Sequence, residues 1–254
     1  MSAYRPDPDL LRGRVVLVTG AGQGLGRAAA RACAGHGATV ILHGRHERKL
    51  NEVYDAIEGA GGPQPMVLAL DLARAGDAEL AAMAAAIGGQ LGRLDGIVHC
   101  AVERYLPAPL EAQTLEAWLR SLRVNLAAPA AVTRACLPLL RAAPAASVIY
   151  ASDEHAAAPA AYWGALAASK AGVEALVRVQ ADEWEREPRL RVNAIVPGAI
   201  RSPQRIATHP GVPKASLTPP EALAPIFLWL LGPDSGGVSG RVIDAHAWLR
   251  ERMP

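Results

Sequence analysis

Residues 19–26 read Thr19-Gly20-Ala21-Gly22-Gln23-Gly24-Leu25-Gly26 and stand between an apolar run and an alanine-rich helical pattern. A strand, a glycine turn and a helix in this order bring backbone amides and the positive end of a helix dipole toward a pyrophosphate. Glycines suit this place because side chains would keep the phosphate away from the backbone. The spacing is G-x-x-x-G-x-G, which differs from the G-x-G-x-x-G fingerprint. The segment predicts a dinucleotide site, and a tight turn that needs glycine only for packing is the alternative.

The rest of the chain continues this alternation of short apolar runs and longer helical patterns. The alternation predicts a doubly wound parallel sheet with helices on both faces. The predicted strands are Val15–Thr19, Thr39–His43, Met66–Leu70, Gly96–Cys100, Ser147–Ala151, Arg191–Val196 and Arg241–Asp244. The predicted helices are 24–36, 46–59, 77–91, 111–141 and 163–187. Because Pro129 and Pro138 interrupt the helix 111–141, it should bend or split. Residues 1–254 are predicted to form one α/β domain, with the irregular segment 197–220 as a substrate lid.

The composition argues against several other classes of protein. A net charge of +2 gives no sign of a nucleic acid or membrane partner, and 51% hydrophobic with 20% charged residues is ordinary for a globular chain. No apolar run reaches membrane-spanning length, and the first residues lack the apolar core of a signal peptide. The three cysteines have no metal-binding spacing and fit a reducing compartment. We therefore expect a cytoplasmic protein with a small-molecule substrate and no metal.

The residues after the second predicted strand bear on the choice of dinucleotide. A site for NAD usually places an acidic residue there to bind the ribose hydroxyls. This chain reads Leu42-His43-Gly44-Arg45-His46, with no acid before Glu47. Arg45 is placed to pair with a 2′-phosphate, which favours NADP(H) over NAD(H); a solvated surface arginine is the alternative. Asp71, after the third strand, is placed to accept a hydrogen bond from adenine, unless it only closes a turn.

Further motifs occur in the same order as in a known family. They are Asp71-Leu72, Asn125, Ala168-Ser169-Lys170 and Pro197-Gly198. Together with Thr19–Gly26 they resemble the short-chain dehydrogenase/reductase family over nearly the whole chain, in a branch of little-characterised bacterial oxidoreductases. The resemblance implies a Rossmann-like, seven-stranded sheet in the order 3-2-1-4-5-6-7. It also implies reduction of a small carbonyl or oxidation of an alcohol, and a homodimer or homotetramer built through helices 111–141 and 163–187.

The resemblance also places the family's site residues on this chain. The implied cofactor contacts are Thr19, Gly20, Gln23, Gly24, Leu25, Gly26, Arg45, Asp71, Leu72, Ala101, Lys170, Pro197 and Gly198. The family's reaction uses an asparagine, a serine, a tyrosine and a lysine. In this chain Asn125 and Lys170 match the first and the last. Lys170 is notable by itself, since the chain has only three lysines among its 26 basic residues.

Two catalytic positions differ from the family's pattern. At the position where the family has the tyrosine that moves the proton, this chain has Leu166. At the position of the family's serine it has Asp153. The family's Asn-Asn-Ala-Gly after the fourth strand reads His99-Cys100-Ala101-Val102. General acid–base catalysis contributes about 10²–10⁴-fold, and an oriented hydrogen bond to an oxyanion about 10²–10³-fold. We expect nucleotide binding to survive and the ordinary reaction to be weakened.

Other side chains are candidates for the lost proton donor. Asp153 and His155 follow a strand whose carboxyl end should line the crevice, and histidine changes its charge near neutral pH. A shift of one residue would return Ser152 to the substrate oxygen, and Tyr162 lies one helical turn before Leu166. The alternative is that residues 153–155 form a solvated loop. His99 and Cys100 suggest a metal or thiol site, but a packed pair in the core is the favoured interpretation.

Three hypotheses for the function follow. The first is an NADP(H)-dependent oxidoreductase with an unusual or weakened proton relay through His155 or Asp153. The second is a catalytically silent protein that binds the cofactor as a sensor, a scaffold or an oligomer partner. The third is non-redox proton abstraction with Asp153 as the base.

Overall fold

The computed structural model describes residues 4–252 of the chain. Residues 1–3 and 253–254 lie outside the described residues. The sheet has seven strands, which we number β1 (Val15–Thr19), β2 (Thr39–Gly44), β3 (Met66–Ala69), β4 (Gly96–His99), β5 (Ala146–Ala151), β6 (Leu190–Val196) and β7 (Val242–Asp244). Each predicted strand is present, with ends that differ by at most one residue.

All neighbouring strands of the sheet are parallel, and their order is β3-β2-β1-β4-β5-β6-β7. This confirms the predicted topology. The order reverses between β1 and β4, so the carboxyl ends of these strands open a crevice in which ligands bind in such sheets. The register places Thr19 of β1 opposite both His43 of β2 and His99 of β4.

Helices cover both faces of the sheet. They are α1 (Gly24–Gly35), α2 (Glu47–Glu58), α3 (Asp77–Leu91), α4 (Leu115–Leu122), α5 (Ala128–Ala142), α6 (Glu154–Ala157), α7 (Gly164–Glu183), α8 (Pro203–Thr208), α9 (Ala224–Leu231) and α10 (Ala245–Arg252). Apolar side chains of α1, α2 and α9 pack on one face, and those of α3, α5 and α7 pack on the other. The central strands are therefore buried on both sides, which explains their continuous apolar character.

The predicted helix 111–141 is split, but not at its prolines. The break is a π-helical turn, Arg123–Ala127, that separates α4 from α5 and contains Asn125. Pro129 follows the π-helical turn by two residues, and Pro138 lies inside α5. Single-turn π segments of this kind occur frequently at functional sites.

The segment 197–220 is less irregular than its composition indicates. It contains the short helix α8 and a 3₁₀ turn at Lys214–Ser216, and Ile200 bridges to Thr218. Its role as a lid stays a prediction. Within the described part of the chain, no helix combines the length and the apolar character that a membrane span requires.

Candidate functional site

A cleft of about 590 Å³ opens along the carboxyl ends of β1, β2, β4 and β5. This volume is in the usual range for a site that binds a small molecule or a cofactor. The cleft is lined by residues of the glycine-rich segment, of the strand ends and of α8, among them Gly20, Gln23, Gly24, Leu25, Gly26, Arg45, Asp71, Leu72, Ala101, Ser152, Asp153, His155, Lys170, Pro197 and Gly198. All of the predicted cofactor and catalytic residues therefore line this cleft, except Thr19 and Asn125.

The glycine-rich turn leaves no room for side chains. Gly20 has φ +69°, and a Cβ atom there would lie 2.8 Å from the backbone nitrogen of Ala101. A Cβ atom on Gly26 would lie 2.3 Å from the carbonyl oxygen of Gly20. Helix α1 begins behind this turn with no side-chain cap and no acidic residue in its first turn. Its first amides are thus available to a phosphate, and the segment fits a dinucleotide pyrophosphate.

Thr19 joins the ends of two strands. Its hydroxyl oxygen accepts a hydrogen bond from the backbone nitrogen of Ala101 at 3.2 Å. This contact fixes the turn after β1 against the segment after β4. Thr19 is fully buried, so this contact lies beneath the residues that line the cleft.

The end of the cleft at β2 and β3 has the features expected for an adenosine site. Arg45 is exposed and lines this end together with Asp71 and Leu72. One carboxylate oxygen of Asp71 accepts a hydrogen bond from the backbone nitrogen of Ala73 at 3.0 Å, so the side chain is oriented by a turn of its own. The role of Asp71 toward adenine stays a prediction.

Lys170 is buried beside Leu166 on the same face of α7. Its ammonium group donates a hydrogen bond to the carbonyl oxygen of Ala151 at 2.6 Å. Burial lowers the pKa of Lys170, and the nearby Asp153 carboxylate opposes that shift. The side chain of Leu166 is only 2% exposed. An aliphatic group with no proton to exchange therefore occupies the position one helical turn before the lysine.

No tyrosine lines the cleft, and all five tyrosines lie within residues 4–252. Tyr162 precedes α7, has φ +75° and is 57% exposed. Tyr150 is buried on β5, where its hydroxyl bonds Thr133 and Gln180 and burial raises its pKa to about 12. Tyr105 donates its hydroxyl proton to the carbonyl oxygen of Tyr162. None of these phenols stands where Lys170 could help it to ionise.

Ser152 and Asn125 are engaged in bonds within the protein. The Ser152 hydroxyl donates to the Glu174 carboxylate at 2.7 Å. The Asn125 amide nitrogen donates to Ser121 and Ser169, both at 3.1 Å, and its amide oxygen accepts from the backbone nitrogen of Glu103 at 2.8 Å. The Asn125 side chain thus ties the π-helical turn to α7 and to the segment after β4. Its part in a proton path stays a prediction.

Asp153 and His155 form the polar pair of the cleft. Their atoms Oδ1 and Nδ1 are 2.6 Å apart, and because a carboxylate only accepts, the imidazole donates. The His155 ring also stacks on Trp163, with ring centroids 4.0 Å apart and planes inclined by 19°. His155 is 9% exposed, so the alternative of a solvated loop is wrong for this residue. The exposed Glu154 instead pairs with Arg205 of α8 at 2.9 Å.

The pair at the end of β4 is packed as the favoured interpretation expects. His99 stacks on Tyr150 and shares a hydrogen bond with Thr133 at 2.9 Å. Burial lowers the pKa of His99 to about 3 and raises that of the Cys100 thiol to about 12. A reactive thiolate is therefore disfavoured. Among the residues that the structure describes, no cluster of histidine, cysteine or acidic side chains could hold a metal ion.

The first part of the segment 197–220 lies against the glycine-rich turn. Gly198 has φ +66° and approaches the ring of His246. A Cβ atom on Gly24 would lie 3.4 Å from Cδ of Pro203 at the beginning of α8. The Gln204 amide bonds the backbone nitrogen and oxygen of Tyr105 at 3.2 and 2.6 Å. Helix α8 therefore contacts both the glycine-rich turn and the segment that contains Tyr105.

Comparisons with known proteins agree with this geometry. Residues 14–211 match the family model for short chain dehydrogenase. The chain belongs to the short-chain dehydrogenase family. It is 39% identical to the uncharacterized oxidoreductase YciK of Escherichia coli (strain K12) over 243 residues, which cover 96% of each chain. It also resembles the structure of a short chain dehydrogenase from Pseudomonas syringae, with 42% identity, a TM-score of 0.93 and coverage of 96% of this chain and 99% of that one.

A third similar protein of the short-chain dehydrogenase family bears on the cofactor. The structure of a family member from Shigella flexneri 2a complexed with NADP is 38% identical, with a TM-score of 0.91, over 94% of this chain and 100% of that chain. The family model covers residues 14–211, which include the first six strands of the sheet. The chain is therefore an oxidoreductase of this family by its fold and its sequence.

Several residues that line the cleft of this chain were not identified from the sequence. Lys49 and His43 line the β2 end, while Trp163, Gln204 and Arg205 line the opposite end. The rarity of lysine was a usable signal for Lys49. No local pattern marks His43, whose two ring nitrogens are buried without a hydrogen-bond partner within residues 4–252. Burial lowers its pKa to about 4, so the ring is neutral at physiological pH.

Proposed function

We propose that the protein is an NADP(H)-dependent oxidoreductase that acts on a small carbonyl or alcohol through an altered proton relay. In this relay the Asp153–His155 pair stands in for the family's tyrosine and serine. One observation carries the proposal: the carboxylate and the imidazole are joined at 2.6 Å in the cleft that also holds Lys170. No other histidine within residues 4–252 combines a carboxylate partner with a place in this cleft.

The preference for NADP(H) is supported by charge at the β2 end. Arg45 lines the β2 end of the cleft, where the resemblance implies the adenosine ribose, and no acidic residue that would favour NAD stands between Leu42 and His46. The similar protein from Shigella flexneri was crystallised with NADP. When bound, NADP(H) supplies or accepts the hydride. The chain itself contributes the cradle for the phosphates and the groups that handle the proton.

His155 is suited to move a proton at its Nε2 atom. Nδ1 donates to Asp153, which orients the ring. Nε2 has no hydrogen-bond partner among residues 4–252 and remains for a substrate oxygen. Trp163 restricts the ring from one side by stacking. Protonated His155 would donate to the oxygen during carbonyl reduction, and neutral His155 would accept the proton during alcohol oxidation.

The relay should be weaker than the family's own. The resemblance implies a tyrosine at position 166 whose hydroxyl lies beside the lysine and the nicotinamide. Leu166 gives Lys170 no phenol to activate. Asp153 carries a carboxylate where the family has a hydroxyl, and a negative charge there would repel a developing alkoxide. Slow turnover is the expected behaviour.

The decisive experiment follows NADPH consumption with a panel of small aldehydes and ketones. The natural protein is compared with His155→Gln, which keeps polarity but cannot carry the proton. We expect the natural protein to turn over slowly and His155→Gln to lose about 10²-fold of that rate at unchanged NADPH affinity. His209→Gln is the matched control, since His209 is also near Trp163 but does not line the cleft. Equal rates in His155→Gln and the natural protein would contradict the relay.

A catalytically silent protein is the second candidate. It is favoured by the packing of Leu166 and by the Ser152 hydroxyl, which is committed to Glu174. It predicts NADPH binding without turnover on any substrate of the panel. The third candidate, proton abstraction by Asp153 without redox chemistry, predicts substrate loss that does not depend on NADPH. Its support is weaker because the Asp153 carboxylate already accepts from His155.

We also propose that two or four copies assemble through α4, α5 and α7. Leu115 and Leu119 are 67% and 57% exposed on one face of α4, and Val179 is 53% exposed on α7. Exposed apolar side chains of this size favour an interface between copies. Sedimentation of Leu115→Glu, compared with the natural protein, would test the assembly.

The free cysteines Cys33, Cys100 and Cys136 support the proposed location in a reducing cytoplasm.

A further inference from the structure

Helix α2 packs directly on the glycine-rich turn, and Lys49 stands at the contact. A Cβ atom on Gly22 would lie 3.0 Å from Cβ of Lys49. The Lys49 ammonium group reaches the side chain of Gln23, to which it donates a hydrogen bond at 2.7 Å. The lysine thus connects the first turn of α2 with the turn that precedes α1. Both side chains line the cleft at its β2 end.

The positive charges at this end have no acidic partner within residues 4–252. No carboxylate lies within 4.0 Å of Lys49 or Arg45. The neighbouring Arg48, by contrast, pairs with Glu52 at 2.6 Å and does not line the cleft. Asp71 lines the same end without pairing with either cation, and two cations against this one carboxylate leave a positive potential that favours an anion.

The identity of the basic residue is informative. The chain has 26 basic residues, of which only Lys49, Lys170 and Lys214 are lysines. A compact ammonium group has three donors, and the Gln23 amide oxygen occupies one of them. Two donors remain for phosphate oxygens, while Arg45 can approach from the end of β2 with its planar guanidinium.

We propose that Lys49 is a second contact for the 2′-phosphate and thereby sets the preference for NADP(H) over NAD(H). This inference rests on the proposed function, because it assumes that the adenosine ribose lies at the β2 end. In this arrangement Arg45 and Lys49 bind the phosphate from two sides. Gln23 holds the lysine against the glycine-rich turn, so that the ammonium group is placed before the cofactor arrives.

The test measures the equilibrium affinity of NADPH and NADH separately, by the change in their fluorescence on binding. Lys49→Met removes the charge and keeps most of the apolar stem. We expect NADPH affinity to fall about tenfold, as for the loss of one charged hydrogen bond, while NADH affinity changes less than about twofold. Arg48→Met is the matched control, because it removes the same charge from the same helix outside the cleft. It should leave both affinities unchanged at fixed ionic strength.

Three results would overturn the inference. If Lys49→Met weakens NADPH and NADH equally, the lysine only supports the glycine-rich turn. If it weakens neither, or if Arg48→Met has the same selective effect, a specific contact is absent. A natural protein that binds neither nucleotide would contradict the proposed function itself. Thermal unfolding of each variant confirms that it is folded before the titration.

Discussion

The two ends of the cleft differ in chemistry although one sheet builds both. At the end formed by β1, β2 and α1, glycines and free helix amides leave room for a phosphate, and Arg45 and Lys49 supply positive charge. At the end formed by β5 and α7, Leu166 packs beside Lys170, and Asp153 with His155 forms the polar pair. The proposed nucleotide site and the proposed proton relay lie on different strands, so one can be kept while the other changes.

The largest effect is expected from a variant that restores the family's catalytic residues at the β5 end. Leu166→Tyr combined with Asp153→Ser gives the β5 end the family's hydroxyls beside Lys170. We expect NADPH-dependent carbonyl reduction to rise by about 10²–10⁴-fold, since a general acid and an oxyanion donor are regained. Steady-state NADPH consumption is the measurement.

The matched control for this variant is Leu166→Phe with Asp153→Ser, which has the same ring without the hydroxyl. It should stay about 10²–10⁴-fold below the variant with Leu166→Tyr, because it lacks the phenol that acts as general acid. Equal activity of the two double variants would show that the phenol is not the missing part. NADPH affinity should be similar in both, because neither position belongs to the phosphate cradle.

A smaller effect tests the β1 end. Gly20→Ala places a Cβ atom 2.8 Å from the backbone of Ala101 at a φ of +69°. We expect the free energy of unfolding to fall by about 3 kcal/mol, from backbone strain and overpacking together, and NADPH binding to fall with it. Urea denaturation and NADPH titration measure the two quantities.

Gly13→Ala is the control for strain alone. Gly13 has a similar φ of +71°, but a Cβ atom there meets nothing within 4 Å. Gly13→Ala should lower the free energy of unfolding by about 1 kcal/mol and leave NADPH binding intact. If both variants lose the same stability and both keep NADPH binding, the close contact with Ala101 does not shape the cradle.

The smallest effect concerns the floor of the β2 end, where burial lowers the pKa of His43 from 6.5 to about 4. Between these values the unfolded chain binds the proton that the folded chain excludes, so stability falls as pH decreases from 6.5 toward 4. His43→Leu removes this dependence and two unpartnered ring nitrogens. We expect it to raise the free energy of unfolding by about 2 kcal/mol more at pH 5 than at pH 8.

Urea denaturation at the two pH values is the measurement for His43→Leu. The exposed His46, on the same side of the cleft, is the control for the loss of an imidazole through His46→Leu. A His43→Leu variant whose gain is the same at pH 5 and pH 8 would show that this ring does not resist protonation in the fold.

Most of the fold and part of the site follow from local patterns. Continuous apolar runs locate the seven strands to within one residue at each end. The glycine spacing from Gly20 to Gly26 predicts the turn that the structure contains. Local patterns did not predict the π-helical turn at Asn125, whose side chain bonds Ser169 and Glu103, residues that are distant in sequence. Prolines were the visible signal, and the helix tolerates both of them.

By itself the sequence determined that the chain forms a parallel sheet with a dinucleotide cradle, and that a leucine stands one turn before Lys170. These properties depend on periodicity and on spacing within about ten residues, which a chain displays directly. Only the tertiary structure decided that His155 turns inward to Asp153 and stacks on Trp163, and that Lys49 reaches Gln23. Such contacts arise when elements pack, and the burial and partner of each side chain are set by neighbours that local sequence does not contain.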